Sequence, residues 1–466
     1  MEYINNKLEE FKRNIKGEKV AIIGIGISNV PLIEYLYNLG ANVSIFDKKD
    51  IEKIDSTIVE KIKNCGFKLF TGENALDNLN DFKLIFRSPS CRPDRTELLK
   101  EARNGALITT EIELLMKLCP STVIGVTGSD GKTTTTSLIY EILKKKGYNC
   151  YLGGNIGIPL FTKIDEMKPE DMVVLELSSF QLMNMTVSPN IAVITNVSPN
   201  HLDIHKSYAE YINAKKNIFK FQNEDDIVIL NYDNEITRKM EKEVKGKLIF
   251  FSRKERLQDG VICDNELIKI CEKGIRRHIL NVKDLFLKGV HNHENICTAV
   301  AATSSLVEPG TQAQAIKDFK GVEHRLEFVR EINNVKWFND SIGTSPTRTI
   351  AGLNSFNERI VLIAGGYDKH LDYTPIAKPI IDNVSKLILM GATANKIEEA
   401  VTNRLKKENK ILPIYKCETL QETVNKAYEV AKNGEIVLFS PASASFDLFK
   451  NFEERGIMFK DLVNKI

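Results

Sequence analysis

Residues 125–136, GVTGSDGKTTTT, have the types and order that bind a polyphosphate. Gly128 and Gly131 allow the backbone to turn so that successive N–H groups face one anion, and a following helix adds the positive end of its dipole. Lys132 would contact the outer phosphates and Thr133 a magnesium ion. A standard P-loop has a further glycine where this chain has Val126. The stretch therefore predicts nucleoside triphosphate binding and leaves its use open. The predicted contacts are Gly128, Ser129, Asp130, Gly131, Lys132, Thr133 and Thr134.

Polar residues follow two later apolar runs at the points where these runs end. Glu176 lies at the end of the run VVLEL, Ser178 and Gln181 follow it, and Asn196, His201 and Asp203 follow the run IAVIT. If both runs are parallel strands beside the loop, these side chains meet at one edge of the sheet. A carboxylate and an imidazole there are plausible ligands for a hard cation. Glu176 as a helix-capping residue and His201 as an ordinary loop histidine remain alternatives.

Short runs rich in Val and Ile alternate with helical patterns along the whole chain, which predicts an α/β fold of buried parallel strands and crossover helices. At 466 residues the chain is too long for one core, and about one domain per 150 residues predicts roughly three. The pattern restarts near Thr109 and near Val322. We therefore predict domains at residues 1–109, 110–322 and 323–466.

Composition narrows the class of partner. A net charge of +2 provides no strong field for nucleic acid or a membrane surface, and this favours a small-molecule ligand. The eight cysteines form no Cys-x-x-Cys pair, so neither a disulfide framework nor a zinc site is indicated. No apolar run reaches the length of a membrane span, and the N-terminal segment is charged, which predicts a cytoplasmic protein.

The segment VAIIGIGISNV, with Asp47 further along, imitates a dinucleotide-binding fingerprint. Gly24 and Gly26 occupy two glycine positions, but Asn29 stands at the third. Read from the residues alone, the segment allows either an NAD-dependent oxidoreductase or a site for a nucleotide diphosphate. A P-loop switch or motor that hydrolyses ATP without an acceptor is a further alternative.

Ten segments occur in the order seen in the Mur ligases, and the resemblance covers nearly the whole chain. They are GVTGSDGKTTTT, GGNIG, LELSSFQL, NHLDIH, YINAKKNIF, GVHNHEN, HRLE, FNDSIGTSP, AGGYDKHLD and SPASASFDLFKNFEERG. The phosphate loop is shared with folylpolyglutamate synthases, which remain a rival within the class. LELSSFQL and the last segment resemble the members that add D-glutamate to UDP-N-acetylmuramoyl-L-alanine.

The resemblance implies a Rossmann-like N-terminal domain, a P-loop-type central ATPase domain and a Rossmann-like C-terminal domain. It implies an ATP-dependent amide ligase of peptidoglycan precursor synthesis that works through an acyl phosphate, with two magnesium ions, as a monomer. The implied catalytic residues are Lys132, Glu176, His201 and Lys215. The implied metal ligands are Thr133, Glu176, His201 and Lys215, the last as a carbamate formed with carbon dioxide.

The same resemblance implies three sets of ligand contacts. ATP contacts beyond the loop are Asn292, Asn295, Arg325 and Asp340. Contacts to the UDP substrate are Ile27, Ser28, Asp47, Ser88, Asn155, Ser178 and Gln181. Contacts to D-glutamate are Thr344, Lys369, Ser445, Phe446 and Phe452.

Two positions depart from the family pattern. Ser90 replaces the usual glycine of the loop that contains Ser88. Ile342 stands where many members carry a lysine that helps to hold the substrate carboxylate. An aliphatic side chain cannot do so, which leaves Lys369, Thr344 and Ser445 as the expected anchors.

Overall fold

The protein is described here by a computed structural model that covers residues 3–26, 28–200, 204–287, 289–369 and 371–466. It contains three mainly parallel sheets, each with helices in the connections, and so confirms the predicted three-domain α/β fold. The chain forms two compact units. One unit comprises Met1–Asp284 and His291–Ile316, and the other comprises Leu285–Val290 and Lys317–Ile466. In the part of the chain that is described, no helix is long and apolar enough to cross a membrane.

The first sheet has the strand order β3-β2-β1-β4-β5, and every pairing in it is parallel. Its strands are β1 (Lys19–Ile23), β2 (Asn42–Asp47), β3 (Lys68–Thr71), β4 (Leu84–Arg87) and β5 (Leu107–Thr109). Its helices are α1 (Asn6–Ile15), α2 (Val30–Asn38), α3 (Ser56–Asn64) and α4 (Thr96–Arg103), and α5 (Glu111–Leu118) leads into the second sheet. The order reverses at β1, so the glycine turn after β1 lies at the switch point where α/β sheets bind ligands.

The second sheet has the order β14-β13-β12-β11-β10-β9-β6-β8-β7, parallel except for the antiparallel pairs β12–β13 and β13–β14. Its strands are β6 (Thr122–Thr127), β7 (Cys150–Gly154), β8 (Met172–Glu176), β9 (Ile191–Ile194), β10 (Ile227–Asn231), β11 (Lys247–Ser252), β12 (Gly260–Asp264), β13 (Leu267–Glu272) and β14 (Ile275–Asn281). Its helices are α6 (Lys132–Lys146), α7 (Ser179–Leu182), α8 (Tyr208–Lys220), α9 (Glu235–Lys239), α10 (Val290–Thr303) and α11 (Pro309–Asp318). Strands β9 and β8 flank β6, as the convergence of their terminal polar residues requires.

The third sheet has the order β15-β16-β20-β17-β18-β19, with only the edge strand β15 antiparallel to its neighbour. Its strands are β15 (Glu327–Ile332), β16 (Val335–Asn339), β17 (Ile360–Ala364), β18 (Val384–Leu389), β19 (Ile414–Lys416) and β20 (Ile436–Phe439). Its helices are α12 (Pro346–Leu353), α13 (Ala377–Asn383), α14 (Ala394–Glu408), α15 (Leu420–Val430) and α16 (Phe452–Asn464).

Strand β17 shows why the predicted strands read as unbroken apolar runs. Ile360 and Leu362 pack into the core on one face of the third sheet, whereas Val361 and Ile363 pack into the core on the other face. Helices cover both faces, so successive side chains are all buried and the usual alternation of polar and apolar residues disappears.

Candidate active site

The loop between β6 and α6 is held in a phosphate-binding shape by its glycines. Gly128 has φ +154° and Gly131 has φ +79°, values that L side chains rarely adopt. Gly131 is also the N-cap of α6 and has no side chain with which to cap the first helical amides. The positive end of α6 is therefore open to an anionic ligand, as in other phosphate sites at helix N-termini.

The residues after β9 fix the loop from its other side. Asn196 accepts the amide hydrogens of Ser129 and Asp130 through its carbonyl and side-chain oxygens, at 2.9 and 3.0 Å. Thr195 Oγ1 donates to the carbonyl of Asp130 at 2.5 Å. Two of the loop amides are thus used internally, and the remaining amides at the start of α6 are the ones placed for phosphate.

We expect Gly128→Ala to destabilise the fold by about 2 kcal/mol more than Gly147→Ala. A Cβ on Gly128 would lie 1.9 Å from Thr195 Oγ1, which would have to move and lose its bond to Asp130. Gly147 is the matched control, because it also has positive φ, at +104°, but no atom lies within 4 Å of a Cβ built there. Chemical denaturation of both variants measures the difference; equal losses would contradict the close packing of this loop.

Two lysines converge on one loop carbonyl. Lys132 Nζ donates to the carbonyl oxygens of Gly128 and Ser129, both at 3.0 Å. Lys215 Nζ, from α8, donates to the same Gly128 oxygen at 2.7 Å. Two ammonium groups that share one acceptor repel each other, so the site favours the loss of one positive charge.

Lys215 is the lysine that the site disfavours as a cation. Its side chain is only 1% exposed, and its Nζ lies 4.7 Å from the ring centroid of Tyr211. Burial, followed by the charge of Lys132, holds the pKa of Lys215 well below its usual range. Tyr211 is fixed in turn by a 2.9 Å hydrogen bond between its hydroxyl and Ser129 Oγ. Burial beside a second lysine therefore disfavours the charged form of the Lys215 amine.

Glu176 ends β8 next to the loop, where it is 2% exposed. Its Oε1 accepts a 2.8 Å hydrogen bond from Asn155 Nδ2, and the Asn155 amide donates to the Glu176 carbonyl. Its Oε2 is buried and has no hydrogen-bond partner among the residues that the structure describes. A buried carboxylate oxygen without a partner is costly unless a cation or donor approaches it. This atom fits a magnesium ligand.

The described residues contain no group of three or more His, Cys, Asp or Glu side chains that could hold a metal ion by themselves. Thr133, half-buried in the first turn of α6, could add a hydroxyl. The predicted ligand His201 lies outside the described residues. Magnesium that accompanies a nucleotide is commonly held by one or two protein ligands together with phosphate oxygens.

Ser178 and Gln181 make a local capping box at the start of α7. Ser178 Oγ accepts the Gln181 amide hydrogen at 3.2 Å, and Gln181 Oε1 accepts the Ser178 amide hydrogen at 2.9 Å. A Ser and a Gln three residues apart form this reciprocal pair at the N-termini of many helices. Both residues come just after β8, at the same sheet edge as Glu176. In this structure their side chains cap α7.

Helix α10 meets the phosphate loop through Asn295. A Cβ on Gly131 would lie 2.3 Å from Asn295 Oδ1, and Asn295 Nδ2 donates to Asn292 Oδ1 at 3.0 Å. Both asparagines are buried. The structure therefore places the two predicted ATP contacts directly behind the start of α6.

In the first sheet, Asp47 joins the ends of β1 and β2. Its carboxylate accepts the amide hydrogens of Ile25 and Lys49, at 2.8 and 2.9 Å. Asn29, at the third fingerprint position, donates from its side chain to the carbonyls of Ile23 and Gly24. It thereby ties the helix start to the turn, a contact that a glycine could not make.

The remaining predicted contacts of the first domain are Ser88, Ser28 and Ile27. The Ser88 amide donates to the carbonyl that ends β1, and Ser88 Oγ lies 3.0 Å from Ser90 Oγ. The residue that replaces the family glycine therefore hydrogen-bonds to the predicted contact. Ser28 is half-buried in the turn before α2, and Ile27 lies outside the described residues.

Asp340 follows β16 in the second compact unit and is buried. Its Oδ2 accepts a 2.6 Å hydrogen bond from Ser440 Oγ, and its Oδ1 accepts the Leu326 amide hydrogen at 3.3 Å. Burial raises the pKa of Asp340 to about 6, although the half-buried Arg325 opposes that rise. The charge of Arg325 thus acts on the carboxyl of Asp340.

The five predicted D-glutamate contacts differ in exposure. Lys369 is exposed and Thr344 is half-buried. Ser445 is buried, Phe446 is 61% exposed with its ring 5.8 Å from that of Tyr367, and Phe452 lies edge-on to His324 at 6.0 Å.

Arg455 links the two loops that carry Thr344 and Ser445. Its guanidinium donates to Ser341 through Oγ and the carbonyl, and to the carbonyls of Ser443 and Ala444, over 2.8–3.1 Å. Burial lowers the pKa of Arg455 to about 10. The motif analysis missed this residue, like Tyr211 and Thr195, because its contact with Ser341 joins positions 114 residues apart.

Three family models match consecutive parts of the chain. They are the Mur ligase MurD-like N-terminal domain over residues 18–110, the Mur ligase middle domain over residues 126–303, and the Mur ligase glutamate ligase domain over residues 324–443. A relative from Acetivibrio thermocellus is 51% identical over 465 residues, covering 99% of this chain and 100% of that protein. One from Clostridium tetani is 51% identical over 464 residues, with the same coverage. Each of these relatives is named UDP-N-acetylmuramoylalanine–D-glutamate ligase.

The chain belongs to the Mur ligase family. The resemblance that its motifs predict is therefore confirmed. Solved structures of other Mur ligases share the fold of this Mur ligase at low identity. UDP-N-acetylmuramate-alanine ligase from Thermotoga maritima aligns with a TM-score of 0.57 at 20% identity, over 96% of this chain and 99% of that one. MurF from Acinetobacter baumannii gives 0.57 at 15% identity, over 97% and 92%.

Proposed function

We propose that this protein is an ATP-dependent ligase that joins the amine of D-glutamate to the alanyl carboxyl group of UDP-N-acetylmuramoyl-L-alanine in peptidoglycan precursor synthesis. The observation that carries the proposal is the identity of about half of all residues, over the full length, with relatives named for this reaction. The first step transfers a phosphoryl group, so it needs positive charge and a metal ligand at the phosphates. The N-terminus of α6 and Lys132 supply positive charge. Lys215 lies beside them, and Glu176 Oε2 is available to a metal among the described residues.

A free carboxylate is a poor electrophile, so its oxygen must first become part of a leaving group. In the proposed reaction a carboxylate oxygen attacks the γ-phosphorus of ATP, ADP leaves, and an acyl phosphate forms. The neutral amine of D-glutamate then attacks the carbonyl carbon, loses a proton, and phosphate leaves. Lys132 and the amides of α6 stabilise the charge on the phosphates, because both are fixed in position before ATP arrives.

Magnesium fits the residues beside the loop. Thr133 and Glu176 would hold it, together with phosphate oxygens and His201, and a second ion is expected as well. A bound magnesium supplies positive charge that offsets the charge of the transferring phosphoryl group. Asn155 orients Glu176 through its 2.8 Å hydrogen bond to Oε1, and Oε2 is the atom that we assign to the ion.

A carbamate on Lys215 is the second part of the proposal for this site. A neutral lysine nitrogen attacks the carbon of CO₂ and loses a proton, so a possible +1 charge becomes a −1 carboxylate. The lowered pKa of Lys215 supplies the neutral amine. The product replaces the repulsion between Lys215 and Lys132 with attraction and offers oxygens that suit magnesium.

The proposed substrate contacts follow strands of all three sheets. The UDP moiety is assigned to the turn after β1, near Asp47, Ser28, Ser88 and Ile27, and the sugar and alanyl group to Asn155, Ser178 and Gln181. D-Glutamate is assigned to Thr344, Lys369, Ser445, Phe446 and Phe452, and the rest of ATP to Asn292, Asn295, Arg325 and Asp340. The domain limits 1–109, 110–322 and 323–466 and a monomeric state are part of the same proposal.

The proposal is tested by ADP release from the purified protein with ATP, magnesium and UDP-N-acetylmuramoyl-L-alanine. We expect release that depends on D-glutamate and does not occur with L-glutamate, L-lysine or diaminopimelate. Release without any amino acid would instead indicate a simple ATPase. Preference for another amino acid would assign a different member of the family, and a nicotinamide absorbance change would indicate an oxidoreductase.

A further inference from the structure

One arginine, Arg92, ties the loop after β4 to the start of α8. Its guanidinium donates to Glu210 from Nη2 at 2.8 Å and from Nη1 at 3.3 Å, and Nη1 also donates to the carbonyl of Ile204 at 2.8 Å. Nε and Nη2 donate to Asp94, on the same loop as the arginine, at 2.9 and 3.1 Å. All of these residues belong to the first compact unit. The arginine thus joins the loop that contains Ser88, an assigned UDP contact, to a helix of the second sheet.

The hydrogen-bonding capacity of this guanidinium is used inside the protein. A guanidinium has five N–H donors. Two of them go to Asp94, two to Glu210 and one to the Ile204 carbonyl. Arg92 and Glu210 are both half-buried, and ion pairs that remain in contact with water usually contribute little to stability. The arrangement therefore fits a residue that fixes geometry, and not one that binds a phosphate.

Glu210 is itself held in place at the start of α8. It is the third residue of the helix, and the N-cap Ser207 accepts its amide hydrogen at 3.1 Å. Its Oε2 accepts the Lys206 amide hydrogen at 2.7 Å, and Lys206 also pairs with Asp94 through its exposed ammonium. The hydrogen bond from Arg92 lowers the pKa of Glu210 to about 2, so the carboxylate is ionised at neutral pH. The contact between the loop and the helix is therefore a permanent ion pair.

The residues that follow Glu210 on α8 contact the phosphate loop. The hydroxyl of Tyr211, the next residue, lies 2.9 Å from Ser129 Oγ. Lys215, about one turn further, donates to the Gly128 carbonyl at 2.7 Å. The first turn of α8 is thus fixed to the loop after β4, and the same helix is fixed to the phosphate loop.

The segment before α8 also reaches the short helix α7. His205 Nδ1 lies 3.5 Å from Glu210 Oε2, and its Nε2 lies 2.9 Å from Ser179 Oγ. Ser178 and Gln181, which we assign to the sugar and the alanyl group, lie on either side of Ser179 along the chain. A helix of four residues has too few hydrogen bonds of its own to hold a position. Its contact with His205 therefore helps to fix the assigned substrate contacts.

We propose that Arg92 is a positioning residue that keeps the bound sugar nucleotide aligned with the phosphate loop. The inference rests on the proposed function, in which the UDP moiety binds at the first sheet and ATP at the second. Binding of UDP does not require the Arg92–Glu210 pair, whereas the approach of the alanyl carboxylate to the γ-phosphorus does. A displacement of reacting atoms by about 1 Å can slow a reaction by about a hundredfold. Loss of the pair should therefore affect turnover more than binding.

The test compares Arg92→Met with the wild type in the D-glutamate-dependent ADP assay. We expect kcat to fall by about tenfold or more, whereas the KM values for ATP and the UDP substrate should stay within about twofold. Binding of UDP alone, measured by calorimetry, should not change, because each N–H of Arg92 already has a partner in the protein. Arg95→Met is the matched control. Arg95 is an exposed arginine of the same loop that pairs with Glu97 at 2.8 Å, and its removal should change none of these values.

A double-mutant cycle tests whether Arg92 acts through Glu210. Glu210→Gln should lower kcat by a similar factor, and the variant with both changes should be no slower than the slower single variant, because one interaction is lost in every case. Arg92→Lys keeps the charge without the planar fork, so it should lose less activity than Arg92→Met. Chemical denaturation should give all of these variants nearly the same free energy of unfolding as the wild type.

Four results would overturn the proposal: an unchanged kcat in Arg92→Met, losses that multiply in the double variant, a fall in activity that follows a fall in the free energy of unfolding, and weaker UDP binding with normal kcat. The last would make Arg92 a direct contact of the nucleotide. If the wild type shows no D-glutamate-dependent ADP release, the proposed function itself fails. If that release occurs and Arg92→Met retains its kcat, only the positioning role fails.

Discussion

Lys132→Ala is expected to lower kcat/KM for the ligation reaction by about a hundredfold or more. The ammonium of Lys132 is already bound to the loop carbonyls of Gly128 and Ser129, so its charge is fixed where the phosphates of ATP would bind. Charge that is in place before the transition state forms needs no reorganisation during the reaction. The measurement is initial-rate ADP release over a range of ATP concentrations.

The control for this prediction is Lys144→Ala, an exposed lysine near the end of the same helix, which should leave the rate unchanged. Removal of Lys132 has a second consequence. Its charge lowers the pKa of Lys215, so the alanine variant should hold Lys215 protonated to a higher pH. A variant with near-normal turnover would refute the phosphate-binding role of the loop.

The parallel strands and the phosphate loop could be predicted from the sequence because their signals are local. Strands buried on both faces, such as β17, form continuous apolar runs, and the glycines and lysine of the loop are only a few residues apart. The antiparallel strands β12, β13 and β14 did not give such runs. Arg276, Arg277 and His278 occupy the exposed part of β14, so the apolar pattern there is interrupted.

The environment of the site could not be predicted, because it depends on residues that meet only after folding. Tyr211 reaches Ser129 across 82 positions, and Lys215 reaches Gly128 across 87. Nothing in the segment YINAKKNIF distinguishes a buried lysine from a surface one without the family resemblance. The structure separates the adjacent lysines: Lys215 faces the loop, whereas Lys216 pairs with Glu243 at 2.5 Å. Successive helical residues point about 100° apart, so only one of them can face the loop.

Lys215→Ala should abolish most of the ligase activity, and short carboxylates such as acetate should restore part of it. The reason lies in what the variant removes. A carbamate places a carboxylate at the end of the lysine side chain, and truncation leaves a space in which a small carboxylate can take its place beside Lys132 and Glu176. A lysine that acted only through its positive charge would be rescued by small amines instead, so the chemical class of the rescuing molecule reports the charge of the missing group.

The decisive experiment measures ADP release by Lys215→Ala with and without added acetate, beside Lys216→Ala treated in the same way. Lys216→Ala should keep normal activity and show no acetate effect, because the side chain of Lys216 pairs with Glu243. Intact mass is unsuitable as a readout, since carbamates decompose in acid. A fully active Lys215→Ala variant would defeat the carbamate proposal, as would electron density that shows a bare amine at the metal site at neutral pH. Rescue by methylamine but not by acetate would likewise show that the required group is a cation.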